Sequence, residues 1–146
     1  MGLYLRTIGE RGDGRKWVQT GCDPFDGAKN YALSGWLAGI RNYSALNPIA
    51  PDRGAPDGFD FAKHDVDYHI STWVGVDELL AVDYEQIIED RRVTRETRPG
   101  TFDGGCTCEP GAGKQMTLRA FLGGWFFEEM EEAKAAGVER IVIGFD

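Results

Sequence analysis

Histidine and cysteine are the scarcest chemically active residues in this chain of 146, at two and three copies. Cys22, Cys106 and Cys108 are odd in number and too few for the disulfide framework of a small secreted domain. Reduced thiols in an intracellular protein are therefore expected. Only His64 and His69 are candidate bases near neutral pH. Positive charge is short as well. Sixteen Lys and Arg stand against 24 Asp and Glu, for a net charge of −8 and a pI near 4.8. That balance argues against a duplex nucleic-acid binder, which needs a basic face. No apolar run approaches the roughly 18 residues of a membrane span. The opening "MGLYLRTIGE" lacks the parts of a signal peptide, and Arg6 stands where a myristoylation pattern wants Ser or Thr.

Glycine is in excess, with 20 residues clustered in connections. Long irregular loops are expected, and such loops often carry binding sites. A chain of this length buries roughly 68–70% of its unfolded surface, so one core is feasible without disulfide or metal. We find no internal repeat and no linker, and expect a single domain over 1–146.

Apolar–polar alternation in "LYLRTI" (3 to 8), a turn at "ERGDGR" and a return in "KWVQTG" (16 to 21) predict a hairpin. Leu33, Trp36, Leu37 and Ile40 mark one face of a helix within 29 to 42. "NPIAPDRGAPDG" (47 to 58) is a proline-stiffened loop bracketed by Ile49 and Phe59. "DYHISTWV" (67 to 74) reads as a strand and 75 to 92 as one or two short helices, while 91 to 97 fits either state. Thr117 should cap the strongest helix, "LRAFLGGWFFEEMEEAKAA", which Gly137 should end. Gly123 and Gly124 fall inside it, where close packing of another backbone would account for them. "VERIVIGFD" is a β-branched strand. The fold class expected is α+β: a mostly antiparallel sheet, two principal helices on one face, and long Gly/Pro-rich loops.

The stretch "GGCTCEPGAGKQMT" (104 to 117) invites comparison with a Walker A loop. Cys108 stands where its first glycine belongs and Gln115 where its hydroxyl belongs, so it is not one. What survives is a helix-start anion seat at Gly113 and Lys114, against the plainer account of a solvated loop. Zinc is disfavoured, because Cys106 and Cys108 are separated by one residue where structural sites prefer two or more. Remaining ligands would have to come from Cys22, His64 or His69. No metal and no cofactor are expected.

His69-Ile70-Ser71 resembles half of the paired His-x-Ser/Thr motif of two-histidine phosphoesterases, but His64-Asp65-Val66 offers no second hydroxyl. No Gly-x-Ser-x-Gly elbow is present. The carboxylates Asp52, Asp57, Asp60, Asp65 and Asp67 read most simply as solvated surface. Recognition chemistry is denser: Arg41, Asn42, Tyr43 and Arg53 around the stiff loop, then His69, Thr72 and Trp73. Arginine forks suit phosphates, aromatics stack on bases, and Asn or Thr reads base edges. The opposing account makes Trp73 and Tyr43 core aromatics and pairs the arginines with aspartates. "RRVTRETR" (91 to 98) is read as a solvated face.

Across "YALSGWLAGIRNYSALNPIAPDRGAPDG", "HISTWVGVDELLAVDYEQ", "GGCTCEPGAGKQMTLRAFLG" and "RIVIGFD", the chain resembles a family of small uncharacterised proteins encoded by tailed bacteriophages and prophages. The family pattern reads His-Ser-x-Ser-Trp where this chain has His69-Ile70-Ser71-Thr72-Trp73, so Ile70 removes one hydroxyl. The resemblance implies a phage context over nearly the full length and, by analogy, an accessory role against host defence in the cytoplasm of an infected bacterium. Three functions follow as expectations. The first is non-catalytic sequestration of a small anionic, nucleotide-derived immune signal by a homo-oligomer. The second is an acidic inhibitor of a host defence protein, and the third a phosphodiesterase using His69.

Overall fold

The computed structural model describes residues 3–64, 68–106 and 109–146, without the side chains at 93–96, 102, 103 and 106. Alternation dictates the central sheet. Strand β1 (Leu5–Asp13) pairs antiparallel with β2 (Lys16–Gln19) and β8 (Arg140–Phe145), and β8 pairs antiparallel with β3 (His69–Gly75). The spatial order is β2-β1-β8-β3. The fold is α+β, as the sequence predicts.

One sheet face carries Leu5, Val74, Ile141 and Ile143 into a cluster with α1 (Tyr31–Ala38), α2 (Val76–Leu80), α3 (Leu118–Leu122) and α4 (Gly124–Ala135). Asn30 caps α1 by accepting from the Leu33 amide at 3.1 Å, and left-handed Gly39 ends it. Phe126 is the hub of this face, stacked on Phe25 and edge-on to Trp36. The other face carries Ile8, Ile70 and Val142, covered by Phe59 from the 51–64 loop. The proline-rich loop is thus packed, as its bracketing apolar residues imply.

Two expectations change. Residues 75 to 92 form only one short helix; Asp83 then turns the chain, accepting from the Glu85 amide, and Ile87–Asp90 becomes strand β4. The adjacent isoleucines have period two: Ile87 is 64% exposed, whereas Ile88 packs against the core. The strong C-terminal helix is also broken. Gly123, at φ 82° and ψ 167°, ends α3 and starts α4. No backbone crowds either glycine; a Cβ there would meet open space, so the requirement at Gly123 is its positive φ. The break swings Trp125 out of the expected stripe to 38% exposure. Thr117 caps α3 and left-handed Gly137 follows α4, both as expected.

Strand β4 pairs with β7 (Lys114–Thr117), and β5 (Arg92–Arg98) with β6 (Thr101–Cys106). The undecided stretch 91 to 97 is therefore strand from Arg92 onward.

Candidate functional site

The proline-rich loop is held to β3 by the residues expected to bind ligand. Thr72 is fully buried; its hydroxyl donates to the Ala50 carbonyl (2.7 Å) and accepts from the Arg53 amide (3.2 Å). The Arg53 fork reaches the Trp73 carbonyl, the Glu78 carboxylate (2.8 Å) and the Ile49 carbonyl, and lies 5.3 Å over the Trp73 ring. Arg53, Thr72 and Trp73 do come together, with protein groups as their partners. His69 stands exposed at the start of β3, opposite Phe145.

Arg41, Asn42 and Tyr43 follow α1. Arg41 Nη1 donates to the Tyr43 hydroxyl, and its guanidinium lies over Tyr31. Asn42 closes a small loop, its Nδ2 donating to the Leu46 carbonyl (2.7 Å) and its Oδ1 accepting from the Leu46 amide (3.0 Å). Arg41 and Ala45 hold positive φ without being glycine, a conformation costing on the order of 1–3 kcal/mol that gathers at functional sites.

That loop forms one wall of a cleft of about 290 Å³. Ser44, Leu46 and Asn47 line one side, Gln86, Ile88, Glu89 and Arg91 the other, with Trp36 and Leu118 completing it. Ser44 clamps the walls together: its hydroxyl donates to Asp90 Oδ1 and accepts from the Arg91 amide. The volume lies just below the usual range of small-ligand sites, and polar groups make up more of its exposed lining than apolar ones.

Gly113 and Lys114 lead into strand β7, not into a helix. Gly113 is needed for close approach, since a Cβ there would lie 2.5 Å from the Asp90 carbonyl. Its amide donates to Glu89 Oε2 (3.3 Å), while Arg91 Nε holds Oε1 at 2.6 Å. Arg91, then the Gly113 and Gly111 amides, keep the Glu89 carboxyl below its ordinary range. The helix start expected at Gly113 and Lys114 is therefore not formed: the loop enters a strand, and the Gly113 amide is taken by an internal carboxylate. Lys114 is exposed and does not line the cleft.

Comparison with protein families, characterised proteins and solved structures returns no match. Among the described residues no group of three His, Cys, Asp or Glu could hold a metal. Thr107, Cys108, Asp65 and Asp67 lie outside the described residues, as does the Cys106 side chain.

A polar cluster that sequence reasoning missed lies under the covering loop. Glu10, His64 and Arg140 are 1%, 6% and 4% exposed. Arg140 Nε donates to Glu10 Oε1 (2.9 Å), its Nη1 to the Asp57 carbonyl (2.8 Å), and its guanidinium sits 3.7 Å from the Trp17 ring centre. His64 lies between two polar side chains, its Nδ1 2.7 Å from Gln19 Nε2 and its Nε2 3.3 Å from Glu10 Oε2. The imidazole stacks on Phe59. This histidine fastens the loop; its ring nitrogens already have protein partners.

Proposed function

We propose that the protein is a non-catalytic binding module that holds a nucleotide-type small molecule in the cleft between residues 44–47 and β4. The phage resemblance makes nucleotide-derived immune signals of the bacterial host the first ligands to test, with sequestration as the biological role. The observation carrying this reading is the cleft itself. Leu46 and Ile88 offer apolar surface for a base with the edge of buried Trp36 behind them, Asn47 and Gln86 offer amides for its edge, and Arg91 offers a cation. Its lining contains no histidine or cysteine, and His69, the phosphodiesterase candidate, does not reach it. Homo-oligomeric assembly belongs to the same proposal and is tested by sedimentation.

A thermal-shift panel of cyclic di- and trinucleotides and ADP-ribose derivatives tests the reading. At 100 times Kd, binding adds about 2.7 kcal/mol. Stabilisation with intact ligand released on heating, weakened about tenfold in Asn47→Ala or Gln86→Ala, is the expected outcome. Altered ligand would indicate catalysis, and no shift across the panel would remove the reading.

One observation favours the acidic-inhibitor alternative. Glu128, Glu129, Glu131 and Glu132 crowd α4, and burial, then Glu132, push the Glu129 carboxyl above its ordinary range. A host protein retained by the chain and released by salt would support that reading.

A further inference from the structure

Two neighbouring carboxylates on β4 have similar partners and different surroundings. Asp90 is bound by Arg92 and Ser44 and does not line the cleft. Glu89 is bound by Arg91 and the Gly113 amide, and both Glu89 and Arg91 line it. The Asp90 arrangement joins wall to ribbon. The Glu89 arrangement is different in kind: a guanidinium and a backbone amide converge on one anion at the boundary of an open cavity, which is how proteins seat phosphates and carboxylates. Gly111, in the same loop at φ 86°, adds a smaller contribution to holding this carboxyl below its ordinary range.

We propose that the Arg91–Gly113 seat is an anion subsite of the cleft, and that Glu89 occupies it as an internal stand-in which a ligand phosphate displaces. The proposal rests on the small-ligand reading of the cleft for its biological meaning, but the seat itself is testable with a simple anion. Glu89 side chain and Arg91 side chain are 13% and 22% exposed, so the pair borders solvent and the exchange needs only a side-chain rotation. The exchange breaks the Glu89 contacts to Arg91 and Gly113 and forms the same contacts to phosphate oxygens, releasing the carboxylate to water. No net contact is lost, so affinity is set by competition between the two anions. The specificity implied is for ligands with a phosphodiester, phosphate or pyrophosphate beside an aromatic or apolar group that lies against Ile88 and Trp36. A net charge of −8 makes such a shielded internal competitor consequential, because the seat stays closed to weakly held anions.

The test is titration of pyrophosphate into wild type and Glu89→Gln, read by calorimetry and by the Gly111 and Gly113 amide resonances. We expect at least a tenfold gain in pyrophosphate affinity in Glu89→Gln, lost again in Glu89→Gln/Arg91→Gln. A folded Glu89→Gln with no gain overturns the proposal. Should that variant unfold, Glu89→Asp, which withdraws the carboxylate by one methylene while keeping its charge, should still gain about threefold; no gain there overturns it equally. A pyrophosphate gain with no response to the nucleotide panel keeps the seat and removes the nucleotide reading. Nucleotide binding unchanged by Glu89→Gln does the reverse.

Discussion

The two faces of the central sheet are covered in opposite ways. On one, four helices bury Leu5, Val74, Ile141 and Ile143 under Phe126, Trp36 and Leu37. On the other, a loop covers Ile8, Ile70 and Val142, and brings Arg140, Glu10 and His64 out of water with it. A helix satisfies its own backbone and can present a purely apolar stripe. A loop cannot, and unpaired buried amides and carbonyls are costly. Hence the Asp57 carbonyl takes Arg140; where the chain enters the loop beside the helix-side cluster, the Ala50 carbonyl takes Thr72 and the Ile49 carbonyl takes Arg53. The lesson is that strong candidate binding residues in this chain are consumed by covering a sheet with irregular backbone. The cleft lies elsewhere, where the helix-packed core meets the β4–β7 ribbon.

Substitutions on each face separate the two modes. Phe126→Ala should be the most damaging, at about 4 kcal/mol, because it leaves a cavity among Phe25, Trp36 and Tyr84. Urea unfolding measures it. On the loop face, Glu10→Gln leaves Arg140 buried without its countercharge and should cost about 3 kcal/mol. The joint replacement Glu10→Leu with Arg140→Met should cost much less than the single change, since paired burial of charge contributes little net stability. A double change as damaging as the sum of its parts would mean that the loop needs these charges for its conformation. Arg53→Ala comes next, at about 1–2 kcal/mol, and is local. Hydrogen exchange should accelerate over 50–58 while α4 stays protected; acceleration in both would show that the loop and helix faces do not open separately.

The same contrast governs what could be read from the chain. The hairpin, α1 and the last strand follow from local periodicity, and the caps Thr117 and Gly137 from single residues. The helix break at Gly123 was misread, because Phe126, Met130 and Ala133 keep helical spacing beyond it and periodicity is blind to one left-handed residue. Strand β4 was misread because adjacent isoleucines fit either period. The cleft was hidden for another reason. Its groups come from α1, residues 44–47, β4 and Leu118, and no short window contains two of its walls. Arg91 was visible only as part of a basic run, and its partners Glu89 and Gly113 give it its meaning. The Glu10–Arg140 pair spans 130 positions and leaves no local trace.

The smallest expected effect tests whether the helix-packed face is as dry as its apolar packing implies. Tyr84 is a polar exception there, half-buried against Trp36 and Phe127 with its hydroxyl donating to the Leu79 carbonyl at 2.6 Å. Burial pushes its pKa from the ordinary 10 to about 12. A raised folded pKa means that the stabilising contribution is fully present below pH 10 and is lost as pH climbs through 12. A full two-unit shift would be worth roughly 2.7 kcal/mol; partial exposure of the ring reduces the expected loss to on the order of 1 kcal/mol. Tyr84→Phe removes the titration together with the hydrogen bond. It should therefore start below wild type at pH 8 in urea unfolding and close the gap by about 1 kcal/mol by pH 11. A gap that stays constant would mean that the Tyr84 hydroxyl ionises as it does in water, and that solvent reaches the helix-packed face beside the cleft.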